Sequence, residues 1–177
     1  MDLVNRYGQP LSVLVAGGEP VVRHRLVGAL GGIGLTTYEA ADGKETVDVV
    51  CSLRIDGLVL DNDLPDIGGL ETIRVIRTFH RVPPYLLLAS ALTRGLQAAA
   101  LDWQATSVLP KPVDEDLLSD IVRAMLMRAY GRAFYEPAEF FEELQLRADR
   151  TALRGADDLP AGRRHARRPE GPGAGAA

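Results

Sequence analysis

The feature that most constrains this chain is the recurrence of short apolar runs without polar interruption. Val13-Leu14-Val15-Ala16, Leu58-Val59-Leu60 and Tyr85-Leu86-Leu87-Leu88-Ala89 all lack the in-and-out alternation of a strand with one wet face. Strands of this kind are buried on both faces. They need helices above and below the sheet, and therefore parallel pairing through crossovers. Amphipathic stretches lie between the runs, so residues 11–130 read as five strand-then-helix units.

The five strands are predicted at 12–16, 35–40, 56–60 (leading into Asp61), 85–89 and 106–109. The first helix starts at Pro20, where no intrahelical N–H is needed. It carries Val22, Leu26 and Ala29 inward with Arg23 and Arg25 outward, and ends at Gly31-Gly32. Asp42 caps a second helix bearing Val47 and Val50, and a third bears Leu70, Ile73 and Ile76. An Ala-rich fourth helix covers 93–101. Asp114 caps a fifth in which Leu118, Ile121, Val122 and Met125 recur at helical spacing. The fold expected is a doubly wound, five-stranded parallel sheet of flavodoxin-like type.

Composition divides the rest. Residues 1–10 form a short leader. Residues 135–154 read as an amphipathic helix. Glu136, Glu139, Glu142 and Glu143 stand at its start, Arg147, Arg150 and Arg154 at its end, with Phe140, Phe141, Leu144, Ala148 and Ala152 as an apolar stripe. Residues 155–177 are Gly, Pro, Ala and Arg with almost no large apolar side chain, and are expected to be disordered. The single cysteine, Cys51, precludes a disulfide framework and reads as a packed small hydrophobe. Neither a basic-then-apolar start nor an 18-residue apolar run is present, so a cytoplasmic location is expected. The net charge of −4 gives no reason to expect nucleic acid as a partner. The basic cluster 163–168 lacks interleaved aromatics and reads as a solvated tail.

In doubly wound sheets, ligands and reacting groups lie beyond the carboxyl ends of the strands. Those ends deliver Gly17-Gly18, Asp61-Asn62-Asp63, Ser90-Ala91 and Lys111-Pro112. A carboxylate, a hydroxyl and an ammonium are thereby predicted to meet in one crevice. Lys111 is informative because the chain uses arginine almost everywhere, and its only lysines are Lys44 and Lys111. The plain alternatives are a turn-forming Asp61, a helix-capping Ser90 and a solvated Lys111. Asp63 and Asp66 read as solvated turn residues in their side chains, and His24 as a surface residue. Gly31-Gly32-Ile33-Gly34 follows a helix and does not supply a dinucleotide-binding loop. There is no Ser/His/Asp set and no Cys/His cluster at metal-ligand spacing, and an enzyme is not expected.

These segments carry a resemblance. Val13-Leu14-Val15, Leu58-Val59-Leu60-Asp61, Leu64-Pro65-Asp66 with Gly69-Leu70-Glu71, Leu88-Ala89-Ser90-Ala91 and Leu109-Pro110-Lys111-Pro112 stand in the order and spacing of bacterial response regulator receiver domains. The resemblance implies that Asp61 is a phosphoacceptor, that Ser90 hydrogen-bonds the phosphoryl group and that Lys111 pairs with it. It also implies that Asp61 and the backbone carbonyl of Asp63 are Mg²⁺ ligands. A sensor kinase or phosphotransfer protein is the implied donor. The output is expected to be docking to a protein, with self-association through the 135–154 helix as one form of it, and no DNA-binding domain is expected.

Two features depart from the family pattern. Gly17-Gly18 stands where the resemblance implies the acidic pair that holds Mg²⁺, which predicts weak Mg²⁺ binding and slow Mg²⁺-dependent phosphorylation of Asp61; adjacent Glu19 is the one candidate substitute ligand, although at a helix start it reads more simply as favouring the dipole. Val108 stands where an aromatic rotamer switch is implied. A phosphorylation-independent pseudo-receiver therefore remains an alternative. A flavodoxin-like small-ligand protein is another, although Glu19 in the first loop disfavours an anion there.

Overall fold

The computed structural model describes residues 3–4, 9–131 and 146. Five strands alternate with five helices: β1 (Ser12–Ala16), α1 (Pro20–Gly32), β2 (Thr36–Ala40), α2 (Gly43–Ser52), β3 (Gly57–Asp61), α3 (Gly69–Phe79), β4 (Tyr85–Ala89), α4 (Arg94–Asp102), β5 (Ser107–Pro110) and α5 (Glu115–Tyr130). The sheet is wholly parallel with strand order β2-β1-β3-β4-β5. This is the flavodoxin-like arrangement that the apolar runs require.

Alternate residues of one strand serve two cores. Val13 and Val15 face a cluster with Leu26, Leu30 and the apolar side of α5, whereas Leu14 and Ala16 face one with Ile73, Ile76 and Ala100. The four predicted contact residues of α5, Leu118, Ile121, Val122 and Met125, are all buried. Each such side chain contributes about 1.5–3 kcal/mol relative to remaining exposed. Asp42 and Asp114 cap α2 and α5 as the sequence predicts, accepting from the N–H of Glu45 and Leu117, and Thr93 caps α4 by accepting from Leu96 N–H. Helix α1 ends at Gly32, within the predicted stop, and Gly34 makes the reversal at φ +87°.

Two expectations about exposure are corrected. Cys51 is exposed, because the inward positions of the short helix α2 are taken by Thr46 and Val50. Arg23 does not face solvent; its side chain is only 11% exposed, for reasons that belong to the site. Ahead of the sheet, Leu3 packs into the α1/α5 core and its carbonyl accepts from Leu11 N–H. The predicted helix over 135–154 lies outside the described residues except for Leu146, which is helical and exposed. The predicted disordered tail, 155–177, lies outside them entirely. No described helix is long and apolar enough to cross a membrane.

Candidate functional site

Strand register brings the site together. Ala16 pairs with Leu60, so Gly17 follows beside Asp61 at the carboxyl edge. Asp61 pairs with Leu88 and Ala89 with Pro110, which sets Ser90 and Lys111 along the same edge. Sequence reasoning singled out Asp61, Ser90 and Lys111, and all three line one cavity of about 390 Å³ together with Gly17, Glu19 and Arg23.

The Lys111 ammonium holds both oxygens of Asp61, at 2.7 and 2.8 Å. The pair is partly sheltered, with side chains 25% and 19% exposed. The same ammonium lies 3.0 Å from Asp63 Oδ2. Burial alone would pull the Lys111 pKa down, but hydrogen bonds and charge from Asp61 and Asp63 outweigh it and raise it above the ordinary lysine value. Asp61 Oδ1 also accepts from the N–H of Asp63 at 2.8 Å, a local turn that fixes the carboxylate orientation.

The Asp63 side chain is a correction to the sequence reading. It is 46% exposed, yet it accepts from Ser90 Oγ at 2.7 Å and Ser90 N–H at 3.1 Å. The Ser90 hydrogen bond is the largest reason its carboxyl stays below the usual range, against some burial and with help from Lys111. Ser90 thus binds Asp63, and it is Thr93 that caps α4. Asp66 is likewise no free turn residue. It accepts from the N–H groups of Gly43 and Lys44 at 2.7 and 2.9 Å, pinning the β3–α3 loop to the start of α2. Burial acts to raise the Asp66 pKa, but these backbone donors prevail and lower it. The signal that could have found both is the spacing Asp61-x-Asp63-x-x-Asp66 in one loop between a strand end and a helix start.

The β1 side of the site differs in kind. Gly17 and Gly18 offer no side-chain oxygen. Arg23 reaches over them from α1, donating from Nη1 to the Gly17 carbonyl and from Nε to Glu39 Oε2 at 3.0 Å. Arg23 was read as outward-facing because arginine on a helix usually is; a buried guanidinium needs partners, and here they come from β1 and β2. Glu19 is exposed at the N-cap and makes no side-chain cap. Val108 is partly buried against the α3 core. His24 is largely exposed beside Glu39, as a surface residue should be.

Mg²⁺ is a hard dication that seeks near-octahedral oxygen ligands. The described residues contain no group of three or more His, Cys, Asp or Glu side chains placed to share a metal. Asp61 spends both oxygens on Lys111, and the two positions nearest to it on β1 are glycine. This set does not fit the ion well.

A doubly wound domain with an acidic group and a lysine at its carboxyl edge defines a class built to handle a small anionic group there. Residues 13–123 match the family model described as the response regulator receiver domain, and the chain belongs to that family. The response regulator MprA of Mycolicibacterium vanbaalenii is 34% identical over 119 residues, covering 67% of this chain and 52% of that protein. The chain spans about half the length of the curated relatives it matches. Among solved structures, a Francisella response regulator receiver domain superimposes with a TM-score of 0.63 at 23% identity, over 67% of this chain and 98% of that one. The Vibrio cholerae chemotaxis protein CheY4 gives 0.62 at 22%, over 66% and 98%. At these identities the two structures speak for the fold alone. Receiver domains generally bind Mg²⁺ for phosphorylation, which makes the poor fit of the donor set here a property of this chain.

Proposed function

We propose that residues 11–130 work as a phosphoacceptor switch of a two-component relay, with Asp61 receiving a phosphoryl group from a sensor kinase or phosphotransfer protein. The observation that carries this reading is the bidentate grip of Lys111 on Asp61, with Asp63 and Ser90 joined to it. Phosphoryl transfer asks a protein mainly for positioning and for neutralisation of spread negative charge. An ammonium already on both carboxylate oxygens is within reach of whatever is attached to either. The domain carries no catalytic machinery for turning over a substrate of its own, and it signals by docking to another protein. Support for docking comes from the apolar side chains that the described surface leaves in water, Leu101 on α4 and Phe79 at the end of α3.

The deciding experiment is incubation of the full chain with acetyl phosphate, read by intact mass, for wild type and Asp61→Ala. One added phosphoryl group that disappears in the variant is the expected result. Labelling that survives in Asp61→Ala refutes the assignment. A second reading, a pseudo-receiver that docks without phosphorylation, is favoured by Gly17-Gly18 and by Val108 in place of an aromatic switch. It predicts no labelling of either protein and unchanged partner binding by Asp61→Ala.

A further inference from the structure

We propose that the Arg23 guanidinium stands in for a divalent metal at this site, so that Asp61 accepts a phosphoryl group without Mg²⁺. This rests on the reading of Asp61 as phosphoacceptor. Three observations support it.

The first is position. Arg23 Nη1 is hydrogen-bonded to the carbonyl of Gly17, and a Cβ placed on Gly17 lies 3.9 Å from Asp61 Cβ. Arg23, Asp61, Ser90 and Lys111 line the same cavity. The guanidinium is thus tied to the backbone of the residue beside Asp61, the position where the family pattern has an acidic side chain.

The second is the state of the guanidinium. It is sheltered, at 11% exposure, and it is held by Glu39 and the Gly17 carbonyl through Nε and Nη1. Arginine has five N–H donors in a planar fork, so the remaining ones are left for phosphoryl oxygens, the acceptors this fork suits best. Its low exposure also makes its field stronger than that of a surface arginine.

The third is charge balance. Two carboxylates and a dication sum to zero, so removing all three leaves the net charge around Asp61 unaltered. What the exchange removes is a cation in direct reach of the phosphoryl oxygens, and Arg23 restores one. Its own charge is already balanced by Glu39, so no further acid is needed beside it.

In the step itself, an Asp61 carboxylate oxygen attacks the phosphorus of an acyl phosphate and a new P–O bond forms. The bond from phosphorus to the acyl oxygen breaks, and a free carboxylate leaves with the electron pair. No proton moves. The three remaining phosphoryl oxygens are met by the Lys111 ammonium, the Ser90 hydroxyl and the Arg23 guanidinium.

The test follows labelling of the full chain by acetyl phosphate, using intact mass over time, in EDTA and in excess Mg²⁺. Wild type is expected to label at similar rates in both buffers. Arg23→Met is expected to label about a hundredfold more slowly in EDTA, the scale of losing one transition-state donor, and Arg23→Lys to recover part of that loss. Gly17→Asp gives the same decision without deleting Arg23. The new carboxylate stands beside Asp61 and competes with the phosphoryl group for the remaining Arg23 donors, so labelling in EDTA falls and added Mg²⁺ restores it. Wild-type labelling that requires Mg²⁺ overturns the inference while leaving Asp61 as the acceptor. Undiminished labelling of Arg23→Met or Gly17→Asp in EDTA overturns the role of Arg23. No labelling of wild type in either buffer overturns both this inference and the function on which it rests.

Discussion

Strand β3 has an aspartate at each end, and the two could hardly be treated more differently. Asp56, just ahead of the strand, is 4% exposed. Its Oδ2 accepts from the Ser12 N–H at 3.0 Å and the Ser12 hydroxyl at 3.1 Å, and its Oδ1 from Arg54 Nε at 3.3 Å. Its own N–H donates to the Ser12 carbonyl and hydroxyl. These partners are short groups on the neighbouring strand and in the same turn, and they saturate the carboxylate. Asp61, at the other end, faces a cavity and is held by a long, flexible lysine that reaches across from β5. A carboxylate bound by backbone is a structural tie; one bound by a movable ammonium is available for chemistry.

The largest expected effect separates these roles outright. Asp61→Ala abolishes labelling by acetyl phosphate and leaves stability within about 1 kcal/mol, since the lost partner of Lys111 is a partly solvated ion pair. Asp56→Ala keeps labelling at the wild-type rate but lowers stability by about 1–3 kcal/mol, because the buried N–H of Ser12 loses its acceptor, while the Ser12 hydroxyl keeps the Arg54 carbonyl. Urea denaturation together with intact mass reads both. If Asp56→Ala also stops labelling at full stability, the two ends of β3 are coupled and the contrast fails.

Next in size is Lys111→Met, which should slow labelling of Asp61 about a hundredfold by removing the ammonium that neutralises the incoming charge. Labelling kinetics at fixed donor concentration measure it, and a loss under about threefold would assign the neutralising role to another group.

A gain of function sharpens the comparison from the β1 side. Gly17→Asp with Gly18→Asp should tighten Mg²⁺ binding, by supplying oxygens beside Asp61. The structure indicates that position 17 matters more. A Cβ there makes ordinary contact with Asp61, whereas at 18 it comes within 3.3 Å of Pro65 Cδ and forces that ring to shift. Amide NMR shifts near Asp61 during a Mg²⁺ titration follow the effect. Equally tight binding by the unmodified protein would mean that Glu19 already serves as a ligand.

The smallest effect is a pH dependence. The carboxyl of Asp63 is held below its ordinary value, mainly by Ser90. Its contribution is therefore present above the unfolded carboxylate pKa and is lost as pH falls through the lower, folded one. The group is half exposed, so solvent screening keeps the contribution under about 1 kcal/mol. Denaturation curves between about pH 6 and pH 3 should show a slope that Asp63→Asn reduces, the share of Asp66 remaining.

The alternation of runs and amphipathic stretches, with caps at Asp42 and Asp114, determined the five units, the parallel sheet and the edge at which Asp61, Ser90 and Lys111 meet. Those features depend on local periodicity and on a rule about strand ends, both of which are written along the chain. Tertiary structure alone decided which charged side chains find partners on other elements. Arg23 looks like any solvated helix arginine until the order β2-β1-β3 sets Glu39 and the Gly17 carbonyl within its reach. Asp63 and Asp66 look like turn formers until the folded loops bring Ser90 to one and the first N–H groups of α2 to the other. The physical reason is common to these cases. Apolar burial follows a pattern that each element carries within itself, whereas sheltering a charge requires partners contributed by other elements, and those partners are adjacent only after the chain has folded.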